Sequence, residues 1–256
     1  MKKNPSETVH PLFLNRCLLL VIALFIFITS GYTETVTARK EILISRILNA
    51  YGGKEKLAKV LSISAEGRIK KNFPDDEGTY YRCMQRGKKL FVDIKYTNSS
   101  EQRILNGKKG YRGNNGKLEE VKGTPYDAMV YQYNQLDLPF GLVDGSLKVI
   151  DIHEDTLNGM KVEVLDLKDE DGYEIEAFVS AKDYLIQKVI GYFTLGRNKT
   201  NLAAEFMNFR DVQGIVLPFK IVNYSRASKL SETTILQYQI NPEIDGSMFN
   251  PKSQGT

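Results

Sequence analysis

Residues 201–224 read NLAAEFMNFRDVQGIVLPFKIVNY, and this stretch decides the fold. Apolar side chains recur at every second position on both sides of a polar segment, as Leu202, Ala204 and Phe206 before it and Ile215, Leu217, Phe219 and Ile221 after it. A period of two is that of a β-strand, and the Asp–Gly-containing segment Asp211–Gly214 has turn chemistry. The stretch therefore predicts a β-hairpin, with Pro218 at a bulge or an edge-facing position.

The same pattern of strand, polar turn and strand recurs along most of the chain. Strands are predicted between Ser62 and Val121 and again between Ser146 and Ile240. Asn-Gly pairs at Asn106-Gly107 and Asn158-Gly159 are strong hairpin signals. Nearly every connection is of hairpin length, whereas parallel strands need long crossovers, so we expect an antiparallel meander.

Three segments break this pattern with helical spacing. Apolar residues in Arg39–Tyr51, Lys54–Val60 and Thr124–Leu136 recur at intervals of three or four. Several late strands are apolar on both faces, which indicates that both faces are covered. A strongly bent sheet that wraps around the helices satisfies this requirement, and Pro139 and Gly141 are expected to end the third helical segment.

Composition places the chain among ordinary globular proteins and disfavours nucleic-acid binding. The 256 residues are 42% hydrophobic and 26% charged, enough for one large β domain or two small ones. The net charge is only +4, and the basic residues are mixed with acidic ones. Fourteen Tyr and twelve Phe with no Trp suit a protein rich in strands.

The N-terminus is typical of a secretory signal peptide. Lys2, Lys3 and Arg16 precede an apolar run at residues 18–28, which small and polar residues follow. We predict a signal peptide over residues 1–38 and a periplasmic location, with an uncleaved inner-membrane anchor as the alternative. Cys17 precedes the apolar run, which argues against a lipoprotein. Cleavage would leave Cys83 as the lone cysteine, expected to be a small buried residue.

No catalytic or metal-binding constellation is recognisable in the sequence. Cleavage of the predicted signal peptide would leave one histidine, His153, and one cysteine, which cannot supply a zinc site of several His or Cys ligands. The acidic segment Asp166–Gly172 fails the register of a calcium loop and is expected to be a hairpin turn. No nucleophile elbow, phosphate loop or dinucleotide fingerprint occurs. We therefore expect no enzyme activity, no metal and no cofactor.

Several segments together resemble the bacterial outer-membrane lipoprotein-sorting proteins of the LolA/LolB type. They are Ile47–Leu57 (ILNAYGGKEKL) with Val60 and Ala65-Glu66-Gly67, then Asn208–Lys220 (NFRDVQGIVLPFK), and finally Asn241–Asp245 with Met248-Phe249. The resemblance implies a mainly β (α+β) fold, a single curved antiparallel sheet forming an unclosed β-barrel with helices covering its concave face. It places the half-barrel domain at residues 39–250, before a flexible C-terminal tail at 251–256.

The resemblance also implies a non-catalytic carrier or chaperone for acyl chains of lipoproteins or lipids. Such a monomer would exchange its cargo with inner- or outer-membrane transport proteins. The alternatives are a periplasmic protein-interaction or lipid-sensing module and, less favoured, an envelope hydrolase. Residues predicted to line a lipid groove are Leu90, Val92, Ile94, Ile175, Val179, Phe206 and Phe219, and residues predicted on a lid are Leu43, Ile47, Met129 and Tyr133. Ordinary core packing remains the alternative for each of them.

Overall fold

The computed structural model describes residues 37–195 and 198–251. The chain divides into two compact units, residues 1–43 and 44–256. The described part of the first unit, 37–43, is helical. Most of the predicted signal peptide, including its apolar run, lies outside the described residues. Among the helices of the described residues, none combines the length and the apolar content that crossing a bilayer requires.

The second unit is built on one antiparallel sheet of thirteen strands that does not close. The strands are β1 Ser62–Asn72, β2 Asp75–Gln85, β3 Lys89–Tyr96, β4 Ser100–Asn106, β5 Lys109–Asn114, β6 Lys117–Val121, β7 Leu147–Leu157, β8 Met160–Asp169, β9 Glu174–Ser180, β10 Ile186–Leu195, β11 Asn198–Val212, β12 Ile215–Ser225 and β13 Ser228–Ile240. Their spatial order is β6-β5-β4-β3-β2-β1-β13-β12-β11-β10-β9-β8-β7. Because β1 pairs with β13, β6 and β7 are left as the two edges. The predicted fold class is confirmed.

The described helices are few and short. Helix α1 spans residues 37–50, α2 is Lys54–Ala58, α3 is Thr124–Asp137 and α4 is Phe140–Asp144, and a 3-10 helix covers Gly246–Phe249. The third predicted helical segment is confirmed as α3, with Gly123 at its N-cap. The expectation for Pro139 is confirmed, because α3 ends at Asp137 and Leu138 is already extended, but the expectation for Gly141 was wrong. A second helix, α4, starts directly after Pro139 and ends at the left-handed Gly145.

The hairpin of residues 201–224 is confirmed as β11 and β12. Its turn is tighter than predicted, because only Gln213 and Gly214 adopt positive φ, at 56° and 82°. Asp211 remains in the strand, and its carboxylate accepts the N–H of Gly214 at 3.0 Å. In the described registers β12 pairs with β13 only from Lys220 onward, so Pro218 lies where β12 is paired with β11 alone. A residue without an N–H is tolerated at such an edge-like position.

Helix α3 connects β6 to β7 along the chain. It contacts both arms of the sheet, which we define as β1–β6 and β7–β13. A β-carbon at Gly110 of β5 would lie 2.4 Å from Met129 Cε, and one at Gly191 of β10 would lie 2.2 Å from Tyr131 Cδ2. Glycine at both positions therefore lets the helix approach the backbone closely. We call the face of the sheet that meets α3 the inner face.

The outer face carries a second, smaller core that the C-terminal segment completes. Phe249 is 1% exposed and packs with Cys83 and Ile104. Phe249 is among the largest fully buried side chains of the described residues. Cys83 is buried as predicted, and burial raises the pKa of its thiol to about 11. The thiol is therefore uncharged and unreactive at neutral pH.

Candidate binding site between the sheet and helix α3

A cavity of about 410 Å³ lies between the inner face and helix α3, and we call it the main cavity. Its apolar wall includes Ile69, Ile94, Met129, Leu202, Ile221 and Leu230. Phe73, in the turn between β1 and β2, also lines it and is 82% exposed. Phe73 therefore marks the mouth of the main cavity.

A smaller cavity of about 40 Å³, the end cavity, adjoins the main cavity. Its wall is mostly apolar and includes Tyr51, Ile63, Leu138, Ile186, Phe206 and Leu217. Two polar residues line both cavities, Arg82 of β2 and Gln135 of α3. The two cavities thus meet at a polar junction formed by these two residues.

The charged part of the main cavity's lining is predominantly basic. Four cations line it, and two of them, Arg103 and Arg112, share Glu101. The Arg103 Nε and Arg112 Nε atoms lie 2.8 and 2.9 Å from Glu101 Oε1. Burial raises the pKa of Glu101, but the two arginines outweigh this effect and bring its pKa below the usual value. Lys71 pairs with Asp76 at 3.7 Å.

Arg82 differs from the other three cations because no carboxylate pairs with it in the described part of the chain. Its side chain sits on the inner face and the residue is 6% exposed. Its Nη2 donates to the hydroxyl of Tyr238 at 3.2 Å, and its guanidinium lies 5.7 Å from the centre of that ring. Gln135, in the same lining, has a buried Oε1 with no hydrogen-bond partner. At the junction, therefore, the Arg82 cation has no carboxylate partner and the Gln135 Oε1 acceptor has no hydrogen-bond donor among the described residues.

The predicted groove residues separate into wall and core. Ile94 lines the main cavity and Phe206 lines the end cavity. Phe219 is half-buried, 5.2 Å from the ring of Tyr238, with the Arg210 guanidinium 4.6 Å above it. The remaining four are fully buried and line neither of these two cavities: Leu90, Val92, Ile175 and Val179.

The predicted lid residues are all buried. Met129 lines the main cavity from α3. Tyr133 has its hydroxyl beside the backbone of Gly87 and Lys88, and burial raises its pKa. Ile47 is fully buried in the second unit, and Leu43 is buried in the first. Only Met129 among these four residues has a described position on a cavity wall.

Charged groups fix the C-terminal end of α3, and sequence reasoning missed them. Arg86 donates to the carbonyl of Phe140 at 3.0 Å and forms an ion pair with Asp144. Its Nε lies 3.7 Å from Asp137 Oδ1, which is buried and has no hydrogen-bond partner. Burial raises the pKa of Asp137 to about 6, although Arg86 opposes the rise.

A second buried group, which we call the Lys88 cluster, connects the two arms of the sheet beneath α3. Lys88 follows β2, and its ammonium lies 3.1 Å from Asp169 Oδ2 and pairs with Asp171 in the turn between β8 and β9. Asn134 of α3 donates to the same Asp169 oxygen at 3.0 Å. The cluster therefore ties both arms and the helix at one point.

The close approach of α3 to β10 gives a direct test of how tightly the helix is seated. Tyr131 donates to the carbonyl of Val189 at 3.0 Å and packs edge-on against Phe193 at 5.8 Å, so its ring has little room to move. Gly191→Ala is expected to lower the free energy of unfolding by about 2 kcal/mol through overpacking. Urea unfolding measures this, with Gly246→Ala as control, because a β-carbon there meets nothing within 4 Å. Equal stabilities of the two variants would contradict this seating of the helix.

Comparison with known proteins identifies the fold. No protein-family model and no curated protein sequence matches the chain. Among solved structures, a LolA superfamily protein from Nitrosomonas europaea aligns with a TM-score of 0.53 at 14% identity, over 79% of this chain and 95% of that one. The fold is LolA-like. The resemblance drawn from the sequence segments is thus confirmed at the level of the fold.

Two further structures agree with this assignment. A domain described as an outer membrane lipoprotein-sorting protein from Vibrio parahaemolyticus gives a TM-score of 0.52 at 14% identity, covering 77% of this chain and 93% of that one. A DUF1329 family protein from Desulfovibrio piger gives 0.52 at 10% identity, covering 82% and 96%. Identities this low show a shared fold, and function has to be argued from the site.

Proposed function

We propose that this protein is a non-catalytic carrier that encloses the acyl chain of a lipid or lipoprotein between its inner sheet face and α3. The observation that carries the proposal is the main cavity. Its volume of about 410 Å³ is within the range of small-ligand sites, about 300–1,000 Å³. Each buried methylene contributes about 0.8 kcal/mol, so an apolar wall of this kind favours an alkyl chain.

The comparisons support a carrier by analogy of fold. The Vibrio parahaemolyticus domain is described as a lipoprotein-sorting protein, and we propose a related role for this chain as a carrier of acyl chains. The same proposal includes export by a signal peptide at residues 1–38, a working domain at 39–250 and a monomer acting in the periplasm. The predicted C-terminal tail lies outside the described residues after residue 251. Transport proteins of the inner or outer membrane are the proposed exchange partners.

Direct contact with the chain is proposed for the predicted residues that lie on cavity walls. These are Ile94 and Met129 in the main cavity and Phe206 in the end cavity. The other predicted groove and lid residues would then support the wall from behind. His153, the residue considered for catalysis, is half-exposed and 3.9 Å from Asp166. It lines neither of these cavities, which supports binding rather than hydrolysis.

Filling the main cavity from the helix side tests the proposal. Delipidated wild-type protein should take up one equivalent of a fluorescent fatty acid. Ala128 lines the main cavity from α3, so Ala128→Phe places a ring where the chain would lie. We expect its affinity to fall at least tenfold, roughly 1.4 kcal/mol.

The matched control is Ala58→Phe, because Ala58 is exposed on the short helix α2. It should bind the fluorescent fatty acid as the wild type does. No uptake by the wild type, or equal uptake by the two phenylalanine variants, would argue against a carrier that uses this cavity.

A protein-interaction or lipid-sensing module is the second candidate, favoured by the exposed Phe73 at the mouth. A side chain of this kind is suited to contact with a membrane or a partner. Under this alternative Phe73→Ser would abolish recovery of a membrane protein from envelope extract. Under the carrier proposal it would instead slow the uptake of fatty acid from vesicles.

A further inference from the structure

The junction of the two cavities holds charge that the protein itself does not neutralise. Of the four cations that line the main cavity, Arg103 and Arg112 share Glu101, and Lys71 has Asp76. Arg82 is the most buried of the four, and among the described residues Tyr238 is the one hydrogen-bond and cation–π partner of its guanidinium. A buried cation without a counterion is costly, so such groups are normally paired.

We infer that the ligand of this site is an anionic amphiphile, whose acidic headgroup binds Arg82 while its alkyl chain occupies the cavity. The inference rests on the proposed carrier function and names its ligand class. A guanidinium presents five N–H donors in a planar fork that matches a carboxylate or a phosphate, and Tyr238 accepts only one of them. The remaining donors are available to an acidic headgroup in the cavity lining.

Gln135 adds a second requirement at the same place. Its Oε1 is buried without a hydrogen-bond donor, and such a group costs free energy until a donor reaches it. The residue lines both cavities together with Arg82. A headgroup that carries a hydroxyl beside its acidic group, or an acid that keeps one proton, would satisfy both residues at once.

The surrounding wall distinguishes an amphiphile from a free inorganic anion. The end cavity beside Arg82 is lined mainly by apolar side chains, including Ile63, Leu217 and Phe206. A small hydrated anion would lose water there without burying any apolar surface of its own, whereas a lipid buries its chain. The site is therefore matched by one molecule whose acidic headgroup binds Arg82 and whose alkyl chain contacts the apolar wall.

Calorimetric titration of the delipidated protein with three probes tests this inference. The probes are dodecyl phosphate, the uncharged 1-monolauroyl glycerol and inorganic phosphate. We expect dodecyl phosphate to bind at least tenfold more tightly than the uncharged lipid, and inorganic phosphate not to compete at millimolar concentration. In Arg82→Met the ratio of the two lipid affinities should fall to about one, and Arg82→Lys should keep part of the preference.

The control is Arg226→Met, since Arg226 is exposed in the turn after β12, and it should keep the wild-type ratio. Equal affinities of the wild type for the charged and uncharged lipids would overturn the inference while leaving the carrier function standing. Binding of neither lipid would remove the carrier function itself. Competition by inorganic phosphate as strong as that by dodecyl phosphate would replace the amphiphile with a free anion. Loss of the preference in Arg112→Met but not in Arg82→Met would move the headgroup to the Glu101 side of the cavity.

Discussion

Lys88→Met is expected to lower the free energy of unfolding by about 3 kcal/mol. Lys88 is 8% exposed, and burial lowers the pKa of its ammonium, yet Asp171 and Asp169 together keep that pKa above the usual value. Removal of one member of a buried ion pair leaves the other charge uncompensated, which costs about 3–5 kcal/mol. Asp169 keeps the amide of Asn134 and the backbone N–H groups of Asp171 and Tyr173, which places the expected cost at the lower end.

Urea unfolding at pH 7 measures the effect against a matched lysine. Lys168 forms an ion pair with Glu174 at 2.9 Å, but the two side chains are 43% and 70% exposed. Lys168→Met should therefore cost less than 1 kcal/mol. Adding Asp169→Asn to Lys88→Met should recover part of the loss, because it removes the stranded charge. A loss no larger than that of Lys168→Met would show that the Lys88 cluster does not hold the arms together.

The local part of this fold could be predicted because its strands and turns depend on neighbouring residues. The hairpin of β11 and β12 follows from its alternation of apolar residues and from the left-handed conformation that Gly214 allows. The pairing of β1 with β13 could not be obtained in this way. It joins Ile63 to Ile240 across most of the chain, and no local pattern specifies which distant strands meet. The resemblance to lipoprotein-sorting proteins implied a single curved sheet but did not specify this pairing.

The candidate site was predicted less completely, because apolar periodicity does not separate a cavity wall from a core. Ile94 and Leu90 occupy the same face of β3, yet only Ile94 lines the main cavity. The polar junction did leave a signal in the sequence. Arg82 stands between Tyr80 and Met84, at a position where the alternation of β2 demands an inward side chain. A cation at an apolar-face position marks a site, but its partners come from distant strands and cannot be paired from sequence.

Asp137 is expected to make stability depend on pH between about 4 and 6. Asp137 is 2% exposed, and burial raises the pKa of its carboxyl from 3.8 to about 6 in the folded protein. Arg86 lowers this pKa, while Asp144 raises it, and Ser146 and Tyr133 also face the carboxyl. Because the folded pKa is the higher one, the contribution is fully present below about pH 4 and is lost as pH rises through 6. The shift corresponds to about 3 kcal/mol at most.

Comparison with Asp137→Asn isolates this contribution, since the amide keeps the shape and cannot ionise. At pH 7 the variant should be more stable than the wild type, because the wild type then holds a buried carboxylate whose Oδ1 lacks a hydrogen bond. Arg86 retains Asp144 and the Phe140 carbonyl in the variant. Below pH 5 the difference in unfolding free energy should shrink toward zero. Carboxylates whose pKa is lowered, such as Glu101, titrate in both proteins and cancel in the comparison.

Asp144→Asn provides the control for the charge around Arg86. Asp144 also pairs with Arg86 but is half-exposed, so its loss should not remove the wild-type dependence on pH. Urea unfolding of the three proteins at intervals between pH 4 and 7 gives the curves. If Asp137→Asn and the wild type ran parallel over this range, the carboxyl would be ionised throughout. The Arg86 ion pair would then outweigh burial at the end of α3.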